Sequence, residues 1–216
     1  MIAATDASGE VGVKSAEDIF PKHGINVRLS RIDLRATDAS TQLVSVAGDD
    51  VPMIYSSYSG GGAVTVVKGF NNLGLKQPLI VSYGNISAAF ADLVKGAKPS
   101  RLLGTALKSM VPEMLKDPEE KERSSAFLEA YQARYNEPAD MLNLLGKISV
   151  DTVEAILSKA PDPADFRSTK SWLEETPIGS VHTVRFSPTS HVGLAADTIA
   201  IVELKGDRWG LADPIK

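Results

Sequence analysis

The feature that most constrains this chain is a regular alternation of apolar and amphipathic segments over about the first 105 residues. Ile25–Ile32 and Pro78–Tyr83 have the pattern of strands, and Gly61–Leu73 between them places apolar residues at helical spacing. Strands that alternate with helices form parallel β-α-β units, whose crossovers are right-handed almost without exception. The alternation therefore predicts an α/β fold with an open parallel sheet and helices on both of its faces.

After about residue 105 the alternation of strand and helix patterns gives way to consecutive helical patterns. Asp117–Tyr135, Asp140–Lys159 and Pro161–Thr176 carry helical patterns with no strand pattern between them. Near the end, Thr198–Leu204 and Arg208–Leu211 flank the turn sequence KGD and predict a β-hairpin. We therefore expect an α/β part, a mainly helical part and a closing hairpin, in that order.

Composition excludes several classes of function. The chain has 216 residues and a net charge of -4, whereas nucleic-acid binding requires a basic patch or stripe, so we expect no nucleic-acid partner. It contains no cysteine and only three histidines, which removes thiolate nucleophiles and argues against a metal centre. We expect neither a metal nor a cofactor. No apolar run reaches the roughly 18 residues of a membrane span, and the first residues lack the basic start of a signal peptide.

Three polar loops are expected to meet at one edge of the predicted sheet. They are Thr5–Gly9, Ser56–Gly62 and Ser82–Asn85, and each combines hydroxyl or amide side chains with glycine. In open α/β sheets, ligands bind outside the carboxyl ends of the strands, where such loops converge. The helix that begins after Gly60 adds a positive dipole end and N–H donors, which favour a carboxylate or a phosphate. The three loops outline a site for a polar small molecule.

Each of these loop residues also has a purely structural interpretation. Ser59–Gly62 can be a turn in which serine caps the following helix, and Asp6 is predicted to cap the helix that begins near Ser8. Tyr58 and Tyr83 lie at strand ends, where an aromatic ring either packs under a loop or covers a ligand. The sequence leaves both alternatives open for these two tyrosines.

Enzymatic motifs are incomplete or missing. The run Gly60–Gly62 does not continue as G-x-G-x-x-G, and no G-x-x-x-x-G-K-[ST] motif follows any predicted strand. There is no G-x-S-x-G elbow, and the adjacent carboxylates at Glu119–Glu120 point in different directions on a helix. We identify no catalytic residue and expect a binding protein, not an enzyme. A nucleotide-dependent α/β enzyme with Gly60–Gly62 as its phosphate loop is the alternative from another class.

Five segments, in order, resemble one known family. TDASGEVGVKSAEDIFPKHGINV is similar to the family's strand-loop-helix unit, and ATDASTQLVSVAGDDVPMIY to its aspartate-led helix and following strand. VKGFNNLGLKQPLIVSYG resembles its next helix, turn and strand. SSAFLEAYQARYNEPADMLNLLGKISVDTVEAI, and then VRFSPTSHVG with IAIVELKGDRWG, resemble its late helices and closing segment. The chain thus resembles the periplasmic substrate-binding proteins of type I fold that serve ABC importers, in their branched-chain amino-acid (Leu/Ile/Val) type.

The resemblance implies an organisation in lobes, of which this chain corresponds to the C-terminal portion. Residues 1–107 with 195–216 would form a ligand-binding α/β lobe, and residues 108–194 a mainly helical segment of a truncated N-terminal lobe. The resemblance also implies a periplasmic location, a membrane permease as partner, and capture of ligand by closure of two lobes about a hinge. Helices without the sheet on which they pack leave an apolar face uncovered, so we also expect a homodimer.

The resemblance further implies four ligand-binding residues. Ser8 occupies the turn position at which many relatives place a ligand-facing tyrosine, and Tyr58 or Ser59 ends the strand that usually supplies an aromatic contact. Tyr83 stands where amino-acid binders often place the acid that holds the ammonium group. Because tyrosine supplies no negative charge, an aromatic acid or another small carboxylate fits as well as an amino acid. A ligand-sensing domain of a receptor or regulator is the alternative within the same fold.

Overall fold

The computed structural model describes residues 1–97 and 99–214. The chain divides into two compact units. The first, which we call the sheet unit, comprises Met1–Thr105 and the residues from Ile201 onward. The second, which we call the helical unit, comprises Ala106–Ala200. The assignment of residues 108–194 to a truncated lobe stays a prediction.

A seven-stranded sheet is the framework of the fold. Its strands are β1 (Ile2–Ala4), β2 (Ser30–Ile32), β3 (Ile54–Ser57), β4 (Leu79–Val81), β5 (Leu102–Leu107), β6 (Ile199–Lys205) and β7 (Arg208–Leu211). They lie in the order β2-β1-β3-β4-β5-β6-β7, and the pairs from β2 through β5 are parallel. β6 and β7 form the expected antiparallel hairpin. The predicted α/β class with an open parallel sheet is confirmed, and the hairpin lies at one edge of that sheet.

Four helices follow the parallel strands in the sheet unit. They are α1 (Ala7–Ile19), α2 (Ser40–Val46), α3 (Gly61–Asn72) and α4 (Ala88–Val94). As predicted, Asp6 caps α1, since its carboxylate accepts a hydrogen bond from the Gly9 N–H at 2.7 Å. A Cβ at Gly9 would lie 1.9 Å from the Ala4 carbonyl oxygen. Glycine at this position therefore lets α1 begin in direct contact with the end of β1.

The core of the sheet unit is built from strand residues and the inner faces of the helices. Parallel strands covered on both faces are apolar throughout, and every residue of β1 is buried in this way. Helix α3 contributes Val66, Val67 and Phe70, which are fully buried. The fully buried strand residues are Ile2, Ile32, Ile54, Leu79, Val81 and Leu103. Burial of these side chains is the main favourable contribution to folding of this unit.

The strand expected over Ile25–Ile32 is shorter than its pattern indicates. Only Ser30–Ile32 is a strand, and its first residue pairs with Ile2 at the start of β1. Met1 continues the backbone pairing, since its amino group donates to the Arg28 carbonyl at 2.6 Å and its carbonyl accepts a hydrogen bond from the Ser30 N–H at 3.0 Å. The predicted strand is confirmed over Ser30–Ile32 and wrong over Ile25–Leu29, which form no regular strand in this structure.

Three helices dominate the helical unit, at the positions that the periodicity predicts. They are α5 (Pro118–Tyr135), α6 (Met141–Lys159) and α7 (Phe166–Glu175). An aspartate precedes each of them and accepts hydrogen bonds from N–H groups of its first turn. Those residues are Asp117, Asp140 and Asp165. Their carboxylates explain why the helices begin at these points.

The segment that follows α7 is held by hydrogen bonds to its backbone. The hydroxyls of Ser109 and Ser124 both donate to the carbonyl of Val181, at 2.8 and 2.6 Å. Nε of Arg123 donates to the carbonyl of Ser180 at 2.6 Å. Because these donors come from α5 and from the turn after β5, they connect parts of the helical unit that are distant in the sequence.

A bidentate ion pair joins the start of β5 to β6. Nε and Nη2 of Arg101 donate to Oε1 and Oε2 of Glu203 at 3.0 and 2.6 Å, and the two side chains are 23% and 12% exposed. The hydrogen bond from Arg101 is the main cause that lowers the pKa of Glu203. A carboxyl whose pKa is lowered in the folded state stabilises that state at neutral pH, and this contribution is lost as the pH falls through the folded-state pKa.

We expect Arg101→Met to lower the free energy of unfolding at pH 7 by about 1–3 kcal/mol, because it leaves a largely buried carboxylate without its partner. Denaturant unfolding measures this difference, which should shrink as the pH is lowered into the acid range. Lys22→Met is the control, since it removes the same charge from an exposed pair with Asp18. A difference independent of pH would show that the charge of Glu203 is not the cause.

Candidate functional site

The strands β1, β3 and β4 are neighbours and parallel, so their carboxyl ends lie side by side along the same edge of the sheet, the one formed by the ends of its strands. The three polar loops singled out in the sequence follow these strands. We call Thr5–Gly9, Ser56–Gly62 and Ser82–Asn85 together the loop rim. The sheet topology thus brings to one edge of the sheet unit three loops that are well separated in the sequence.

Asn85 joins two loops of the rim and is 1% exposed. Its side-chain nitrogen donates to the Tyr58 carbonyl at 2.8 Å and to the Ser82 hydroxyl at 3.1 Å. Its side-chain oxygen accepts a hydrogen bond from the Gly60 N–H at 3.1 Å. The Ser82 hydroxyl also lies 3.0 Å from the Ser59 hydroxyl. These contacts fix the loop after β3 against the loop after β4.

The glycine run in the rim meets two separate requirements. Gly60, the N-cap of α3, has φ of 64° and ψ of -140°, a conformation that only glycine adopts without strain. Gly62 lies against a ring, because a Cβ at this position would lie 1.9 Å from Cζ of Tyr58. The first N–H groups of α3 have no acceptor within the helix and lie at the rim. They are suited to an anionic group of a ligand.

The four predicted ligand-binding residues all lie on the rim but differ in exposure. Ser8 is in the first turn of α1 and Ser59 precedes Gly60, and both are exposed. Tyr83 begins the short turn that ends at Asn85 and is 56% exposed, whereas Tyr58 is 5% exposed. Ser59 and Tyr83 lie on the two loops that Asn85 joins, and Ser8 lies on the loop after the neighbouring strand. Direct contact of these residues with a ligand stays a prediction.

Tyr58 packs under its loop. Its hydroxyl donates to the carbonyl of Asp33 at 3.3 Å. Burial, followed by the negative charges of Asp33 and Asp6, raises the pKa of Tyr58, so the hydroxyl keeps its proton at neutral pH. The structure therefore shows the ring of Tyr58 packed under its loop, and contact of this residue with a ligand stays a prediction.

Comparison with protein families identifies the group to which this sheet and its rim belong. The model of the family described as periplasmic binding protein matches residues 1–208. The chain belongs to the periplasmic binding protein family. The expectation from the five sequence segments is therefore confirmed. A search of curated proteins gave no match.

Solved periplasmic binding proteins share the fold of this one. An extracellular ligand-binding receptor from Rhodopseudomonas palustris HaA2 superposes with a TM-score of 0.79 and 17% identity, covering 98% of this chain and 62% of that one. A leucine-binding protein from Thermotoga maritima has a TM-score of 0.78 and 16% identity, with coverage of 96% and 58%. A solute-binding protein of a Rhodopseudomonas palustris ABC transporter, in complex with benzoate, has a TM-score of 0.67 and 20% identity, with coverage of 96% and 55%. The present chain spans less than two thirds of the length of each.

Sequence reasoning missed the two residues that organise the rim of this periplasmic binding protein. Asn85 and Ser82 lie in a loop that the sequence marked as polar, but neither was singled out. A usable signal was the position of Asn85, an amide between Gly84 and Ile86 directly after a strand. An amide placed there can supply both a donor and an acceptor to a neighbouring loop.

Neither a metal centre nor a membrane-spanning helix is found in the part of this periplasmic binding protein that the structure describes. Over residues 1–97 and 99–214, no group of three or more histidine, aspartate or glutamate side chains could hold a metal ion. Within the same ranges, no helix combines the length and apolar character needed to cross a bilayer.

Proposed function

We propose that this chain acts as an extracytoplasmic solute-binding protein that captures an amino acid or a related small carboxylate for an ABC importer. The observation that carries the proposal is the loop rim, in which the Ser59 and Ser82 hydroxyls lie beside the N-terminus of α3. Hydroxyls and helix N–H groups together suit a carboxylate. The permease of the importer is the proposed membrane partner, and the periplasm is the proposed location.

The residues of the rim support an apolar or aromatic carboxylate as ligand. Tyr83 is 56% exposed and offers a ring and a hydroxyl, but no negative charge for an ammonium group. Among the structural neighbours, one is named as leucine-binding and one was solved with benzoate, and both compounds are carboxylates. The proposed role is reversible binding without chemical change, since the sequence offers no catalytic motif.

A ligand-sensing domain is the second candidate function. One neighbour is described as an extracellular ligand-binding receptor, and the same rim would serve a receptor as well as an importer. An importer's binding protein and a ligand-sensing domain would bind the same ligand, but the ligand-bound form would associate with a different partner protein in each case. Association with a permease distinguishes them.

The ligand is sought by thermal unfolding of the purified chain with leucine, benzoate, phenylacetate and ATP, each tested alone. A compound that binds only the folded state adds about 2.7 kcal/mol of stability at one hundred times its dissociation constant, so the melting temperature rises. We expect a rise with a carboxylate that is reduced by Tyr83→Ala. Tyr135→Ala is the matched control, because Tyr135 lies in the helical unit and is 53% exposed, close to the exposure of Tyr83.

A rise with ATP alone would overturn the proposal in favour of the nucleotide-dependent enzyme. A carboxylate effect that survives Tyr83→Ala would move the site away from the rim. No rise with any compound would overturn capture of a small carboxylate by this chain.

We also propose that two copies of this chain form a homodimer. Leu142, Val150, Val153 and Leu157 are exposed on α6, and their spacing of three, four and eight residues puts them on one face of the helix. Two such faces packed against each other would remove this apolar stripe from water. Light scattering on the purified chain measures the mass, and a monomer at all concentrations would contradict this part.

A further inference from the structure

A polar cavity of about 520 Å³ lies within the helical unit. Its walls come from the start of α5, from residues 182–185 and from the loop that precedes β6. Pockets that hold small molecules typically measure about 300–1,000 Å³, so this cavity has the size of a ligand site. None of the residues of the loop rim lines it.

A buried histidine in the wall of this cavity lacks a hydrogen bond. His182 is 8% exposed, and its Nδ1 has no hydrogen-bond partner among the described residues. Oε2 of Glu120 lies 3.4 Å from Nδ1, which is within ion-pair distance but lacks hydrogen-bond geometry. The other carboxylate oxygen of Glu120 accepts the Thr183 N–H at 2.8 Å. Buried polar atoms are nearly always paired, so Nδ1 is available to a water molecule or to a bound group.

Three cations in the lining of the cavity are available to the oxygen atoms of an anion. Lys108, Lys116 and Arg185 line the cavity, and in the described chain none of these side chains forms a salt bridge. The lining carboxylates are Asp117, Glu120 and Asp197. Two of them are engaged with backbone N–H groups, since Asp117 caps α5 and Glu120 holds Thr183. These contacts leave the charges of Asp117 and Glu120 in place, so the lining holds three carboxylates and three cations, and in the described chain no salt bridge joins Lys108, Lys116 or Arg185 to them.

We infer that this cavity binds a small oxyanion, with its oxygen atoms held by Lys108, Lys116 and Arg185 and with a hydrogen bond to His182. Phosphate and carboxylate groups share the required chemistry, because both present several acceptor oxygens to lysine and arginine. A hydrogen phosphate also carries an O–H group, which can donate a hydrogen bond to Nδ1 of His182. The inference concerns a second site and does not rest on the proposed function.

Imidazole NMR tests the inference on the whole chain, because the sequence has only three histidines, His23, His182 and His191. Sodium phosphate and sodium acetate are titrated separately at constant pH, with sodium chloride at equal ionic strength as reference. We expect one of the two anions to shift the His182 signals in a saturable way and to leave those of His23 and His191 in place. His182→Gln assigns the signals.

Variants of the lining cations complete the test. Arg185→Gln and Lys116→Gln should each weaken binding about tenfold, the usual effect of losing a charged hydrogen bond. Lys121→Gln is the control, since Lys121 is exposed on α5 and does not line the cavity. Unchanged melting temperatures without added anion show that the variants are folded.

Three results would overturn the inference. They are equal shifts of all three histidines, shifts that sodium chloride reproduces, and binding that Arg185→Gln and Lys116→Gln leave intact. Tyr83→Ala should not alter the His182 shifts. A failure of the proposed rim function is thereby separated from a failure of this second site.

Discussion

Replacing Gly62 with alanine is expected to lower the free energy of unfolding by about 1–3 kcal/mol, the usual cost of overpacking a filled site. The new Cβ would lie 1.9 Å from Cζ of Tyr58, and every ring atom nearby would have to move. The ring has little room, because Tyr58 is 5% exposed and its hydroxyl donates to the Asp33 carbonyl. We expect the loop after β3 to shift, and ligand binding at the rim to weaken with it.

Gly61 is the matched control for this prediction. It is the adjacent residue in the same first turn of α3, and a Cβ there meets no atom within 4 Å. Gly61→Ala should be neutral or should stabilise the chain by up to about 1 kcal/mol, since alanine is the better helix former. Denaturant unfolding measures the free energy of unfolding of both variants against that of the parent chain. Equal effects of the two substitutions would show that Tyr58 does not depend on the missing side chain at Gly62.

A double variant separates the contact from a general loss of helix. Tyr58→Leu removes the ring that the new methyl group meets. In that background Gly62→Ala should cost clearly less than in the parent chain, since the two residues are in contact and their effects are not additive. If the free-energy effects of Tyr58→Leu and Gly62→Ala were strictly additive, the new methyl group at position 62 would not be in conflict with the Tyr58 ring.

Replacing Asn85 with leucine is expected to lower the free energy of unfolding by about 2–4 kcal/mol, because it leaves the Gly60 N–H without its acceptor and removes the 2.8 Å donor of the Tyr58 carbonyl, which keeps the Ser82 hydroxyl at 3.3 Å. The loss is large because Asn85 is 1% exposed and water does not replace the amide. The loop after β3 would separate from the loop after β4. Ligand affinity at the rim should fall more than stability alone explains, since the rim residues lose their relative positions.

Asn85→Asp distinguishes the two halves of the amide. The carboxylate keeps an acceptor for the Gly60 N–H but cannot donate to the Tyr58 carbonyl when it is ionised. We expect its stability to recover partly on acidification, because a protonated carboxyl regains a donor. Asn72→Leu is the control, as Asn72 is an exposed amide at the end of α3. If Asn85→Leu and Asn72→Leu were equally harmless, Asn85 would have no positioning role.

Much of the fold could be predicted from local patterns. The start of α1 follows from Asp6, whose carboxylate caps the first turn, and the starts of α5 and α6 follow from Asp117 and Asp140 in the same way. The parallel order of the strands follows from the alternation of strand and helix. These features depend on residues within one helical turn or one strand, so they are readable in the sequence.

The candidate site could be predicted only in part, because its contacts join residues that are far apart in the sequence. The sequence marked the three loops as polar and rich in glycine, and parallel topology placed them at one edge. It did not show that Tyr58 packs under its loop, because this depends on Asp33 and Gly62 on either side of it.

The sequence by itself determined the class of the fold, the absence of cysteine chemistry and the position of the polar loops. Only the tertiary structure decided which loop residues are exposed to a ligand and which support the loops. Asn85 contacts Tyr58 and Gly60 across more than twenty positions of sequence, and His182 is enclosed beside Glu120. Burial and pairing of a polar side chain depend on segments that meet only after folding, and the neighbours of that side chain in the sequence do not carry this information.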